Sequence, residues 1–263
     1  MFDNPWVASL LSEVGHLLAQ PTTWYLGAVV FISGIVRGFS GFGGALIFIP
    51  LSAALLGPRK AIAVFYLFDL VSASPYGLMQ LPKSNRREIA PMVIAAIIML
   101  PVGAWILKHA DPLVLRWAVA AIVAAMLALL ISGWRYHGHP TTLTSCFVGL
   151  VAGVMGGATG ITAPVVITYW LSSTAAATVI RANIMVFYAI TSLSTDVVYF
   201  FNGLFTFDVV VYALVAWPLY SLGLVLGARV FKGTSDTHYR IAAYVLIAFS
   251  LLVSLPLFDR FLR

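Results

Sequence analysis

The chain has 263 residues, 61% of them hydrophobic and 9% charged, with a mean hydropathy of +0.99. Soluble domains carry about 25% charged residues, so the composition excludes a water-soluble globular protein and predicts an all-α polytopic integral membrane protein in a lipid bilayer. The net charge of +6 comes from 15 basic against 9 acidic residues, most of them in short loops where they meet lipid headgroups; no basic stripe is present, so nucleic acid is not an expected partner. Cys146 is the only cysteine, which leaves no disulfide frame and no cysteine-based metal site, and no cofactor is expected.

Taken in order, residues 1–21 form an N-terminal surface segment. Asn4-Pro5 reads as a helix cap followed by a first-turn proline, and Trp6, Leu10, Val14, Leu17 and Leu18 share one helical face. Asp3 and Glu13 stand where a cleaved signal would carry basic residues. Residues 22–133 form a first membrane repeat. It opens with Thr22 to Leu56, too long for one plain span of about 20 residues and too short for two. The run GIVRGFSGFGGALIFIP, Gly34 to Pro50, puts five glycines and an arginine inside it, so the break is expected there. Spans follow at Ala61–Leu81, Ile89–Leu107 and Leu113–Ser132, with Asn85 as a cap. A wetter linker, 134–142, precedes the second repeat, 143–258. That repeat opens with Thr144–Leu171, interrupted at GVMGGATG, Gly153 to Gly160, and continues with spans at Ala182–Phe201, Val209–Phe231 and Ile241–Leu257. Residues 259–263 are a tail with Arg260 and Arg263. The reading is eight hydrophobic segments, two of them broken.

The halves match internally. Gly34, Gly38, Ser40 and Gly41 align with Gly153, Gly157, Thr159 and Gly160 at an offset of 119; Arg59, Ile62 and Val64-Phe65-Tyr66 align with Arg181, Ile184 and Val186-Phe187-Tyr188 at 122; Gly103-Ala104, Lys108 and Arg116 align with Gly227-Ala228, Lys232 and Arg240 at 124. Three groups in one order, drifting by a few residues, mark an internal repeat. Repeats that each open with a glycine-interrupted segment point to a transporter whose site lies where the breaks meet. If each broken segment is a re-entrant hairpin with two arms of about 15 residues, each half crosses three times and the repeats are inverted; if it crosses fully, they are parallel. Basic loop residues divide evenly under either scheme, and hairpins are favoured on arm length.

An interruption at membrane depth frees backbone groups that protein, water or ligand must satisfy. A helix restarting after Ser40-Gly41 or Thr159-Gly160 aims unpaired N–H groups and its positive dipole end at the break, an arrangement suited to anions. Arg37 adds a permanent charge with a planar fork matched to oxyanions. The competing reading is that the glycines let helices pack closely and Arg37 reaches to the interface. Arg37, Ser40, Gly41, Gly43, Thr159, Gly160 and Thr162 are therefore the expected substrate region. Asp69 and Asp196 lie inside apolar spans, where an unpaired carboxylate is costly. Each is a candidate for proton or cation coupling, and Asp69 is equally a structural partner for Arg37. Arg181 and Asn183 are secondary candidates, Arg181 as an interface marker and Asn183 as a cap or ligand. Trp170, Tyr66 and Tyr188 read as belt or packing residues.

GIVRGFSGFGGALIFIP in the first half, GVMGGATGITAP in the second and GLVLGARVF at Gly223 to Phe231 resemble the TauE/SafE family of sulfite and organosulfonate permeases over about residues 22–258. The second half departs from that pattern at Thr159, Ile161, Thr162 and Ala163, where more glycine is expected. The resemblance implies a multi-pass secondary transporter of the prokaryotic inner membrane, exporting small sulfur-containing anions such as sulfite or C2/C3 organosulfonates by alternating access, and it leaves a homo-oligomer open. An anion channel is the alternative. An intramembrane enzyme is the weaker one: Gly38-Phe39-Ser40-Gly41 looks superficially like a serine-protease motif, but His16, His109, His137, His139 and His238 lie near segment ends or in loops, away from any serine at the break. No catalytic residue is expected, and without a phosphate-binding GxxxxGK[ST] loop the chain is not a pump by itself.

Overall fold

The computed structural model describes residues 12, 14–15, 19–40, 43–132, 141–171 and 177–230. Most of the expected surface helix before residue 19, the linker at 133–140, the span at 241–257 and the tail fall outside them. The described elements are all helical: α1 (Pro21–Ser40), α2 (Gly44–Leu56), α3 (Pro58–Ser72), α4 (Ser74–Leu78), a short 3₁₀ turn (Leu81–Lys83), α5 (Arg86–His109), α6 (Pro112–Ser132), α7 (Thr142–Thr159), α8 (Ala163–Leu171), α9 (Ala177–Phe201) and α10 (Phe207–Val230). Among them α1, α5, α6, α7, α9 and α10 are long and apolar enough to cross a membrane. The chain is a multi-pass membrane protein.

Both interrupted segments double back. The Ser33 hydroxyl of α1 donates to the carbonyl of Gly44 at 2.9 Å, although a straight helix would hold residues 11 apart about 16 Å from each other. Likewise the Ser145 hydroxyl in α7 sits 2.5 Å from that of Tyr169 in α8, where a straight course would separate them by about 36 Å. Each is a hairpin with one long and one short arm, 20 and 13 residues in α1–α2 and 18 and 9 in α7–α8. The expected arms of about 15 residues are thus corrected, because the glycines divide into two kinds.

Gly34 and Gly38 stay helical and let α1 lie directly on α10: a Cβ on Gly38 would overlap the Leu224 carbonyl, and one on Gly227 the Ile35 carbonyl. The second half repeats this against the first, with Gly153 on the Ala96 carbonyl and Gly157 on the Leu100 carbonyl of α5. Close packing of small residues accounts for these positions. The breaks fall instead at Gly43, φ 61°, and Gly160, φ 71°, left-handed conformations that glycine adopts without steric cost. The predicted interruption at Gly153 to Gly160 therefore narrows to its last residue.

The expected span Ala61–Leu81 is not one straight helix. It bends by 54° between Pro58–Ser72 and Ser74–Lys83. Pro75 at the start of α4 lacks the N–H that would continue α3. Helices α3 and α10 run parallel, tied by the Lys60–Asp208 ion pair at one end and by the Ser72 and Ser221 hydroxyls, 2.8 Å apart, at the other. At the end of α5, Arg59 donates to the Leu107 and Ala110 carbonyls, and at its start Asn85 caps the Arg87 N–H. One apolar core joins α1, α2, α3, α6 and α10 and takes in residues of α5, α8 and α9, and a second joins α5, α7, α8 and α9 around Trp170. The cavity described next is lined by residues of both groups of helices.

Candidate functional site

The starts of the two short arms, α2 and α8, border one cavity of about 40 Å³, with Gly43, Ala45 and Leu46 on one side and Gly160, Ile161, Thr162 and Ala163 on the other. The first-turn N–H groups of a helix have no intrahelical acceptors, so two positive dipole ends converge on this space. A water needs about 10–15 Å³, so the cavity has room for a few waters or one compact anion.

Arg37, in the last turn of α1, lines the cavity. Its Nη2 lies 3.1 Å from Asp69 Oδ2, and its guanidinium stands over the Tyr188 ring at 5.4 Å. Asp69 is 1% exposed, and its other oxygen accepts a 2.5 Å hydrogen bond from Tyr220. The carboxylate in α3 is thus compensated by a cation from α1 and a donor from α10. Asp196 has neither: it is 6% exposed and both its oxygens are buried without a hydrogen-bond partner. It sits on α9 one turn past Ser192, which lines the cavity, and next to Thr195, which does too. A charge on Asp196 would be uncompensated in a way that a charge on Asp69 is not.

The carbonyl end of α7 points towards the same space and would repel an anion if left bare. Its last carbonyls are taken instead: Gly156 accepts from the Gly160 N–H at 3.0 Å and from Tyr66 at 3.2 Å, Gly157 from Tyr199 at 2.7 Å, and Met155 from the Thr159 hydroxyl at 2.8 Å. The Thr159 hydroxyl proton is therefore spent within its own helix, and its oxygen accepts from the Ile161 N–H at 3.4 Å. Thr191 and Thr195, which also line the cavity, turn their protons back to the Phe187 and Thr191 carbonyls. Their oxygens offer lone pairs, while Arg37 offers positive charge.

Of the residues expected at the site, Arg37, Gly43, Asp69, Gly160 and Thr162 line the cavity together. Thr159 does not line it; its hydroxyl is engaged by the Met155 carbonyl and the Ile161 N–H. Gly41 and the side chain of Ser40 lie outside what is described. Arg181 and Asn183 do not line it: the Asn183 side chain accepts from the Asn85 N–H at 2.8 Å and donates to Glu88 at 3.2 Å, binding the start of α5 to α9. Tyr66 and Tyr188, expected as packing residues, both face the cavity, and Trp170 is packed into the second core.

Sequence reasoning missed Thr191, Ser192 and Thr195. Their spacing of one and four residues places them on one helix face, a polar stripe in an otherwise apolar span that was legible. It also missed Tyr220, for which no local pattern exists.

The sequence profile of the sulfite exporter TauE/SafE family matches residues 26–253, most of the chain. No curated protein and no solved structure matches it.

Proposed function

The chain belongs to the TauE/SafE family of sulfite exporters, and from that premise we propose that it is a secondary transporter of small sulfur oxyanions, binding one between the starts of α2 and α8 beside Arg37. The observation that carries the reading is the convergence of both hairpin turns and one arginine on a single cavity. A compact oxyanion such as sulfite, with four heavy atoms, fits a space of a few waters. In this reading Arg37 holds the anion through charge-assisted hydrogen bonds, with the N–H groups of α2 and α8 completing the cradle. The hairpins lie at the meeting of two halves that rock about them, an alternating-access cycle with inverted repeats in the inner membrane.

An incoming anion competes with Asp69 for Arg37 and brings a second negative charge into the cavity. Coupling then follows from a proton taken up by a carboxylate, and Asp196, which has no cation, is the group best placed to carry it. The test is uptake of labelled sulfite, sulfoacetate and a carboxylate control into proteoliposomes, with and without a pH gradient. Saturable sulfur-oxyanion flux, stimulated by the gradient and lost in Arg37→Ala, is expected. Flux that rises linearly with concentration, or is indifferent to both Arg37→Ala and Ser40→Ala, would refute the reading.

A further inference from the structure

Besides the cavity between the starts of α2 and α8, hereafter the cage, Arg37 lines a second space. This vestibule, of about 340 Å³, is bounded by Gly38 of α1, Ala73 and Tyr76 at the bend of α3 into α4, Met185 of α9, and Arg229 in the last turn of α10. Its two charged lining residues are Arg37 and Arg229, and among the described residues no carboxylate lines it. The 54° bend at Pro75 swings α4 away from the line of α3, and Ala73 and Tyr76 border the space beside that bend.

The two arginines mark its two ends. Tyr220 of α10 touches Asp69 and so stands at the level of the Arg37 ion pair. Arg229 lies nine residues further along the same helix, a rise of about 13 Å. Arg229 is exposed and Arg37 is nearly buried. A charge at the mouth and a charge at the floor, with apolar walls between them, focus the field on an anion entering from the membrane face where α10 ends.

We propose that this vestibule is the anion's passage between that face and the cage, with Arg229 as its capture residue and the Arg37–Asp69 pair as its inner limit. The proposal rests on the transport reading for the identity of the anion, but not for the passage itself. At the mouth, Arg229 raises the local anion concentration. At the floor, an anion meets Arg37 from the vestibule side, draws it off Asp69 and passes to the α2 and α8 starts behind it.

The experiment reads the passage without assuming a substrate. In a Cys146→Ser background, Ala73→Cys at the floor and Ala228→Cys at the mouth are reacted in proteoliposomes with methanethiosulfonates carrying either a sulfonate or a trimethylammonium group. Rates are divided by those of free cysteine. The sulfonate reagent is expected to outpace the cation about tenfold at Ala73→Cys. Arg229→Gln should cut that preference at least threefold, Arg229→Lys should keep it, and raised salt should weaken it. A preference unchanged by Arg229→Gln would overturn the proposal and leave Arg229 as a lipid-headgroup contact. So would an Ala73→Cys thiol that stays unreactive in folded protein. Met185→Cys replaces Ala73→Cys if that variant does not fold. If the charge preference holds but sulfite is not transported, the passage stands and the substrate assignment fails. If sulfite is transported with an unchanged KM in Arg229→Gln and no charge preference is seen, the opposite holds.

Discussion

The two hairpins share a backbone plan and are finished differently at the turn. Each sends a glycine-faced long arm against a helix of the other half, breaks at a positive-φ glycine and returns as a short helix whose start borders the cavity. At the end of the first long arm, the negative end of the helix dipole is met by a fixed cation, Arg37. At the end of the second, the equivalent position is Gly156, and neutral donors, the Gly160 N–H and the hydroxyls of Tyr66, Tyr199 and Thr159, take up the carbonyls of the last turn. The scaffold and the charge are therefore separable. The first hairpin can anchor an anion, and the second keeps its own carbonyls from repelling one. Around them, α3 supplies a carboxylate paired to that cation, while α9 supplies Asp196 with no partner.

The largest effect breaks what the hairpins share. Gly38→Val and Gly157→Val each drive a side chain into a backbone carbonyl of the facing helix, and each should cost about 4 kcal/mol or more. Both should lose the monodisperse peak in size-exclusion chromatography; one surviving intact would show that the arms are not equivalent. Removing the charge separates the hairpins: Arg37→Ala should lower kcat/KM for sulfite about 100-fold, the loss of roughly 3 kcal/mol of charge-assisted binding. Asp196→Asn should leave transport without a gradient within about twofold while abolishing stimulation by the pH gradient, since an amide cannot take up a proton. Tyr66→Phe removes one of two donors on the Gly156 carbonyl, the Gly160 N–H keeping the other, and should raise KM about fivefold, the loss of about 1 kcal/mol for one hydrogen bond. Thr159→Ala should change kcat/KM less than about threefold, because that hydroxyl already serves Met155 and Ile161. A tenfold loss there would mean that the second hairpin binds the anion directly.

How far the site was legible depended on the range of the interaction. Arg37 and Asp69 stood out as charges in apolar spans, and a charge at such depth needs a partner wherever the chain goes. The Thr191, Ser192 and Thr195 stripe was also local and readable from helical periodicity. Tyr66 was not, because an aromatic in an apolar span packs, anchors or donates with the same local pattern. Its role follows from a carbonyl 90 residues away. The glycines show the same limit in reverse: their clustering was plain, but which ones pack and which ones break depends on the helix lying opposite.

The sequence by itself determined the membrane class, the two interrupted segments and the presence of an arginine at one of them. Hydropathy, periodicity and the rarity of buried charge act over one or two helical turns and need no knowledge of neighbours. The tertiary structure decided that both segments double back, that their short arms start at one cavity, and that of two carboxylates one is paired and the other is not. Those outcomes depend on which backbone comes within van der Waals distance of which glycine and which donor reaches which oxygen, contacts between residues far apart in the chain.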